Sequence, residues 1–270
     1  MCKFNIRKPA LLFFLITFIP PLFAHEFWLN PGKFIYKRTD KINIRFLAGE
    51  NFEGQNWGGN NERIRSLKIY YGGVIDDLSP VVTTITGDSI EYTMTDEGTN
   101  LVAFHSTNSF IEMEPAKFEA YLKEDGLTNA IEYRNEHNEN GCNGREFYQR
   151  CAKTLIQVGD LKDQTFKVPT FLPIDIIPLS NPYSSKDKEL LRVKVFYKSS
   201  PLANALVKVW HRVRNKTVKK ELTTDVNGEI VFKLSINGKW MISAVKMERL
   251  IDNPVCEWQS YWGSLTWGYE

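Results

Sequence analysis

The sequence predicts a mainly β protein built from two β-sandwich domains, with one short helical insertion in the first. Three observations carry this reading. Short segments that alternate polar and apolar residues recur through most of the chain, the period of half-buried strands. Turn residues punctuate them at close spacing, as in antiparallel sandwiches rather than β-α-β sheets. A proline-dense stretch divides the two sets.

The chain opens on a different pattern. Met1 to Lys8 carries Lys3, Arg7 and Lys8 and no acid, Ala10 to Phe23 is almost wholly apolar, and Ala24 is small. A basic start, an apolar middle and a small-residue exit define a secretory signal peptide, so residues 1–24 are expected to be removed. Pro20 and Pro21 interrupt the apolar run, which makes it a poor membrane span. No second long apolar stretch follows, so the mature chain is expected to have no membrane span and to be periplasmic or secreted. Its first residue is then His25. Loss of the signal lowers Lys+Arg from 34 to 31 against 32 Asp+Glu, a formal charge of −1. No Lys/Arg-rich run remains, so a nucleic-acid partner is not expected.

The first domain is expected over 25–165. Lys41 to Leu47 alternates, Leu67 to Tyr71 ends at Gly72-Gly73, Val81 to Thr86 follows, and Ser89 to Met94 alternates again. Asp96 to Thr99 turns into a strand that ends at His105, and the Gly/Asn-rich segment from Gly49 to Asn61 reads as an exposed loop. Helix is expected near 114–135. Pro115 occupies a first-turn position where its missing N–H is harmless, Phe118, Tyr121 and Leu122 share a face, and Gly126 closes the turn. Phe147 to Val158 fits either conformation.

Pro169, Pro173, Pro178 and Pro182 make 166–188 an expected extended linker. The second domain, 189–270, reads as strands from Leu190 to Tyr197, Ala205 to Val213 and Glu221 to Phe232 with Asn227-Gly228 at a bend. Trp240 to Met247 and Trp258 to Trp267 supply the last two. The aromatic residues Trp258, Tyr261, Trp262 and Trp267 are expected in the core, since each large ring buries about 150–250 Å².

Cys142, Cys151 and Cys256 remain after export, enough for one bridge and a free thiol. Cys142–Cys151 is the local pairing and Cys151–Cys256 the distant one; sequence does not choose. No C-x-x-C pattern suggests a cysteine metal site.

His25 carries the main functional expectation. An N-terminal histidine offers both an α-amine, with an ordinary pKa of about 7.8, and the ring Nδ1. Together they chelate ions that favour square-planar nitrogen ligation, such as Cu(II) or Ni(II). Glu26 is the expected supporting carboxylate. His105, at a strand end of the same domain, is the expected second imidazole; His137 in a polar loop and His211 after Trp210 rank behind it. No G-x-S-x-G, H-E-x-x-H or phosphate-loop pattern occurs, so no enzyme is expected.

Several segments jointly resemble one family: His25-Glu26-Phe27-Trp28-Leu29, Ile111-Glu112 with Lys117-Phe118 and Tyr121-Leu122, Arg150 to Lys153, and Trp258 to Thr266. They look like the periplasmic domain-of-unknown-function family related to the NikM-type substrate-binding component of nickel and cobalt uptake systems. The run from Pro201 to Val209 with Thr224 to Ile230 resembles a transthyretin-like or carboxypeptidase-regulatory-like sandwich. The resemblance implies two Ig-like or transthyretin-like sandwiches and a Ni(II), Co(II) or Cu(II) role, with the metal site on the chain N-terminus and a membrane metal transporter as partner. This sequence departs from that pattern where relatives carry histidine before the methionine ending the Trp240-to-Met247 strand; Lys246 stands there instead. The leading expectation is thus a metal-binding or metal-uptake accessory protein. A sandwich for surface interaction without metal, and a copper-dependent polysaccharide monooxygenase, are the alternatives.

Overall fold

The structure, a computed structural model, describes residues 26–83 and 88–270. The expected signal peptide, His25 and residues 84–86 of the strand read at 81–86 lie outside the described residues. Strands β1 (Glu26–Pro31), β2 (Ile35–Tyr36), β3 (Lys41–Glu50), β4 (Glu53–Asn56), β5 (Ile64–Tyr71) and β6 (Val74–Asp77) come first. β7 (Ser89–Thr93), β8 (Gly98–Ser106) and β9 (Ser109–Met113) follow, then helices α1 (Pro115–Glu124) and α2 (Thr128–Glu136). β10 (Gly144–Val158), β11 (Ile174–Pro178), β12 (Leu190–Tyr197), β13 (Ser200–Pro201) and β14 (Leu206–Val213) continue the chain. It closes with β15 (Lys216–Thr223), β16 (Glu229–Lys233), β17 (Lys239–Arg249) and β18 (Trp258–Gly268). The fold is mainly β, with stacked sheets and helix confined to the expected insertion.

A ten-stranded sheet runs through the middle in the order β15-β14-β17-β18-β10-β8-β5-β6, with β2 and β9 also on β10. One face, here the front, is covered by β1, β3, β4 and β7 and by the two helices. The back is covered by β11, β12, β13 and β16. Side-chain alternation assigns the faces. On β10, Ala152, Ile156 and Val158 enter the front core while Cys151 and Leu155 enter the back core. On β17, Ile242 and Ala244 face back, and Val245 and Met247 face forward under the helices. Trp28, Trp210, Trp258 and Trp267 are fully buried.

The two expected sandwiches are not separate bodies joined by a linker. β10 and β18 pair in parallel from Glu146↔Trp258 to Thr154↔Thr266, which fuses both halves into one sheet. The expected linker 166–188 contains β11, whose five residues are all buried and pair with β12. Its prolines are compatible with this because β11 is an edge strand and Pro173 and Pro178 fall at its ends. The segment read as an exposed loop is also partly ordered: β4 pairs with β3, and Trp57 packs edge-on against Phe27 at 5.7 Å. Among the described residues no helix is long and apolar enough to cross a membrane.

Candidate functional site

On the front face, where the start of β1 meets the helices, charged side chains are buried together. β1 pairs with β3 and is pinned onto the central sheet, as Ser264 and Thr266 donate hydroxyls to the Phe27 and Leu29 carbonyls. This holds Glu26 at 5 % exposure. α1 ends at Gly126 (φ +64), where an added Cβ would lie 2.7 Å from the Leu206 Cβ. The bare backbone lets the helix end approach β14 and brings Asp125 over Lys208. The Lys208 ammonium donates to Asp125 Oδ1 at 2.7 Å and to Glu26 Oε1 at 3.4 Å. Ser243 Oγ also donates to Glu26 (3.4 Å) and itself accepts from the Trp210 indole at 3.2 Å.

A second group adjoins it. Glu146 on β10 accepts through Oε1 from Tyr121 Oη at 3.2 Å and from Ser260 Oγ, which in turn accepts from the Trp262 indole at 3.0 Å. Glu146 Oε2 is buried without a hydrogen-bond partner among the described residues. The Arg150 guanidinium lies 5.1 Å from the Tyr148 ring and 5.0 Å from the Trp262 ring, and Trp262 stacks on Tyr121 at 5.7 Å.

The electrostatics follow from burial. Burial pushes the Glu146 carboxyl up to about 7, against the opposing pull of Ser260, Tyr121 and Arg150. Asp125 rises to about 6 for the same reason, against Lys208. Burial favours a neutral Lys208, but Asp125 and Glu26 outweigh it and hold the ammonium protonated. Burial lowers Arg150, opposed by Tyr148, Tyr121, Glu26 and Glu146. The cluster sets three carboxyl groups, Glu26, Asp125 and Glu146, beside two cations, Lys208 and Arg150, and burial makes Glu146 and Asp125 hold their protons more tightly than usual.

The histidines read from the sequence are dispersed. His105 shares its face of β8 with Leu101 and Ala103, which belong to the back core, whereas Glu26 contacts the forward-facing Ser243. His105 is buried, bonds Gln149 Oε1 through Nε2 at 2.8 Å, and is held below the usual histidine pKa by burial. The structure does not bring it together with Glu26, because alternation along β8 turns it to the opposite side of the sheet. Lys246 alternates with Val245 and Met247 and so also faces back. His137 stacks on Tyr133 at 3.8 Å, and His211 stacks on Trp240 at 4.0 Å.

Cys142, Cys151 and Cys256 are all free thiols. Neither expected bridge is compatible with the register. β10 runs extended from Gly144 past Cys151, and Cys256 lies two residues before Trp258, which pairs with Glu146. At least five strand residues at about 3.3 Å each separate either partner from Cys151, far beyond the roughly 7 Å a disulfide spans.

Among the described residues, no group of three or more His, Cys, Asp or Glu is arranged to hold a metal ion. Sequence reading missed Asp125, Lys208, Glu146, Ser243 and the cluster role of Arg150. Charged residues interrupting the otherwise buried β10, and Lys208 within the apolar β14, were the available signal.

None of the curated proteins matches the chain. Among solved structures, a DUF4785 family protein from Legionella pneumophila is 9 % identical over 80 % of this chain and 50 % of its own, with TM-score 0.26. This chain thus spans about half the length of that protein. A DUF3823 family protein from Bacteroides uniformis is 10 % identical over 88 % of this chain and 96 % of its own, at TM-score 0.21. A Salmonella alpha-2-macroglobulin mutant is 9 % identical over 91 % and 15 %, also at 0.21. All three scores are too low to carry a common fold. The sequence profile of a domain of unknown function, DUF4198, matches residues 22–248, most of the chain. The chain belongs to the DUF4198 family.

Proposed function

We propose that this protein is an exported, periplasmic transition-metal-binding protein, an accessory to metal uptake, with its site at the mature N-terminus beside the Glu26 cluster. The observation that supports this reading is the burial of Glu26 in an acid-rich group. Cleavage after Ala24 would leave the α-amine and imidazole of His25 one peptide unit, about 3.8 Å between Cα atoms, from that residue. A cation bound there would draw the proton from Glu146, whose Oε2 is an unused acceptor in the adjoining group. Amine and imidazole nitrogens with carboxylate oxygens make a tetragonal N,O donor set suited to Ni(II) or Cu(II), and tolerable for Co(II). The ion is cargo in this reading, and a membrane metal transporter is its destination. With His105 turned to the back face, oxygen donors from the front cluster replace the second imidazole. This weakens the copper-monooxygenase alternative, which needs a second histidine at His25.

Intact mass should place the mature start at His25. Titration of that protein with Ni(II) and Cu(II) should give affinities that fall more than tenfold on adding one N-terminal alanine, which displaces the α-amine from the chelate; tenfold is about 1.4 kcal/mol. If neither the extension nor His25→Ala changes the affinity, the site does not exist.

A further inference from the structure

The back sheet is narrower than the central sheet it covers. β16 is its edge strand, and Phe232 of β16 packs on Trp240 of β17 at 5.3 Å. The outermost central strand, β15, has no strand of the back sheet over it and is exposed along most of its length. Its inward side is set by the register: Val218 lies opposite His211, Lys220 opposite Val209 and Leu222 opposite Val207. Val207 and Val209 are back-core residues, so Val218 and Lys220 point into the space beside β16. That space is a groove of about 360 Å³ with an apolar bed of Val209, Val218, Phe232 and Trp240.

The free side of β16 supplies a template. Leu234 N–H donates to the Glu189 carbonyl and Val195 N–H donates to the Gly228 carbonyl, so the even-numbered residues of this strand bond toward β12. Alternation in an antiparallel ladder then turns the N–H and C=O groups of Val231 and Lys233 outward, to the open edge. Lys188, Lys220 and Lys233 line the groove against one acid, Asp187, whose Oδ1 accepts from the Ile236 N–H at 3.2 Å, and among the described residues no ion pair engages any of the three lysines. By contrast, Lys219, on the other side of β15, pairs with Glu221 at 3.2 Å.

We infer that this groove binds an extended acidic peptide segment of a partner protein, which adds as a strand to the free edge of β16. Main-chain bonds to Val231 and Lys233 fix the segment, alternate apolar side chains fill the bed over Val218 and Trp240, and acidic ones meet the three lysines. The spacing suits such an addition, because the new strand would lie about 4.8 Å from β16 and about 10 Å above β15.

The test uses the mature protein and two synthetic heptapeptides, one alternating valine with glutamate and the other valine with lysine. The glutamate peptide should shift the amide resonances of Val231, Lys233 and β15, and bind at least tenfold more tightly than the lysine peptide. Lys220→Glu should weaken it at least fivefold, and Val231→Pro, which removes an edge N–H, should abolish the shifts. Equal binding of both peptides, no binding of the glutamate peptide, or shifts confined to other strands overturns the proposal. Should Val231→Pro not fold, Lys220→Glu and the resonance map decide alone. Octanoate that displaces the peptide while leaving the Val231 and Lys233 amides unmoved in the peptide complex would mark a small-acid pocket instead, and equally overturns it.

Discussion

The two faces of the central sheet each bury a lysine against acid, and they do so to different ends. On the back face Lys153 of β10 meets Asp175 of β11, at 1 % and 6 % side-chain exposure, and Asp175 Oδ2 accepts from Thr170 N–H at 2.8 Å. One cation faces one anion, and the remaining carboxylate oxygen is satisfied. On the front face Lys208 is shared by Asp125 and Glu26, and Glu146 keeps an unused oxygen. The matched pair ties β11, in the proline-rich segment, onto the sheet. The unmatched cluster leaves one carboxyl oxygen, Glu146 Oε2, without a hydrogen-bond partner among the described residues.

The largest expected effect breaks the matched pair. Lys153→Met leaves Asp175 buried and uncompensated, and should cost about 3–5 kcal/mol in urea denaturation. Replacing both partners with apolar residues should restore most of that stability. Lys208→Met should cost less, because Asp125, already raised to about 6, can take up a proton. If Lys208→Met proved the more damaging change, the contrast between the two faces would be lost.

Glu146→Gln sharpens the front side. A carboxyl whose folded pKa of about 7 exceeds its ordinary 4.5 holds its proton more tightly when folded. Its contribution to stability is therefore full below pH 4.5 and is lost as pH rises toward 7, by about 3 kcal/mol at 1.36 kcal/mol per unit. The variant lacks that titration. Measured from pH 4.5 to 8, its stability should rise relative to the native chain by about 2–3 kcal/mol; a constant difference would show that Glu146 is not raised.

The smallest effects concern the histidine pattern. Lys246→His should change Ni(II) or Cu(II) affinity less than twofold, since that side chain faces back. His105→Ala should likewise spare affinity while costing about 1 kcal/mol for its bond to Gln149. A tenfold change from either would mean that the back face reaches the N-terminal site.

Period-two alternation and helix signals are properties of neighbouring residues, so they were legible without a structure. Lys41 to Leu47 and Ser89 to Thr93 form strands, Pro115 opens α1, and Trp258 and Trp267 are buried as expected. The basic-then-apolar start, the charge balance and the absence of catalytic motifs are likewise read from the chain alone. Tertiary structure decided what depends on partners far along the chain. The parallel pairing of β10 with β18 joins residues 112 apart in sequence, such as Glu146 and Trp258, and fuses the two expected domains. The same sheet settled the ambiguous segment after Phe147 as strand, with neighbours on both edges. It also chose the faces: alternation makes His105 and Lys246 point somewhere definite, but only the phase of each strand against its neighbours turns both away from Glu26. Glu26, Asp125, Glu146, Arg150 and Lys208 meet because a helix end, a strand start and two sheet strands converge, a juxtaposition that no local pattern encodes.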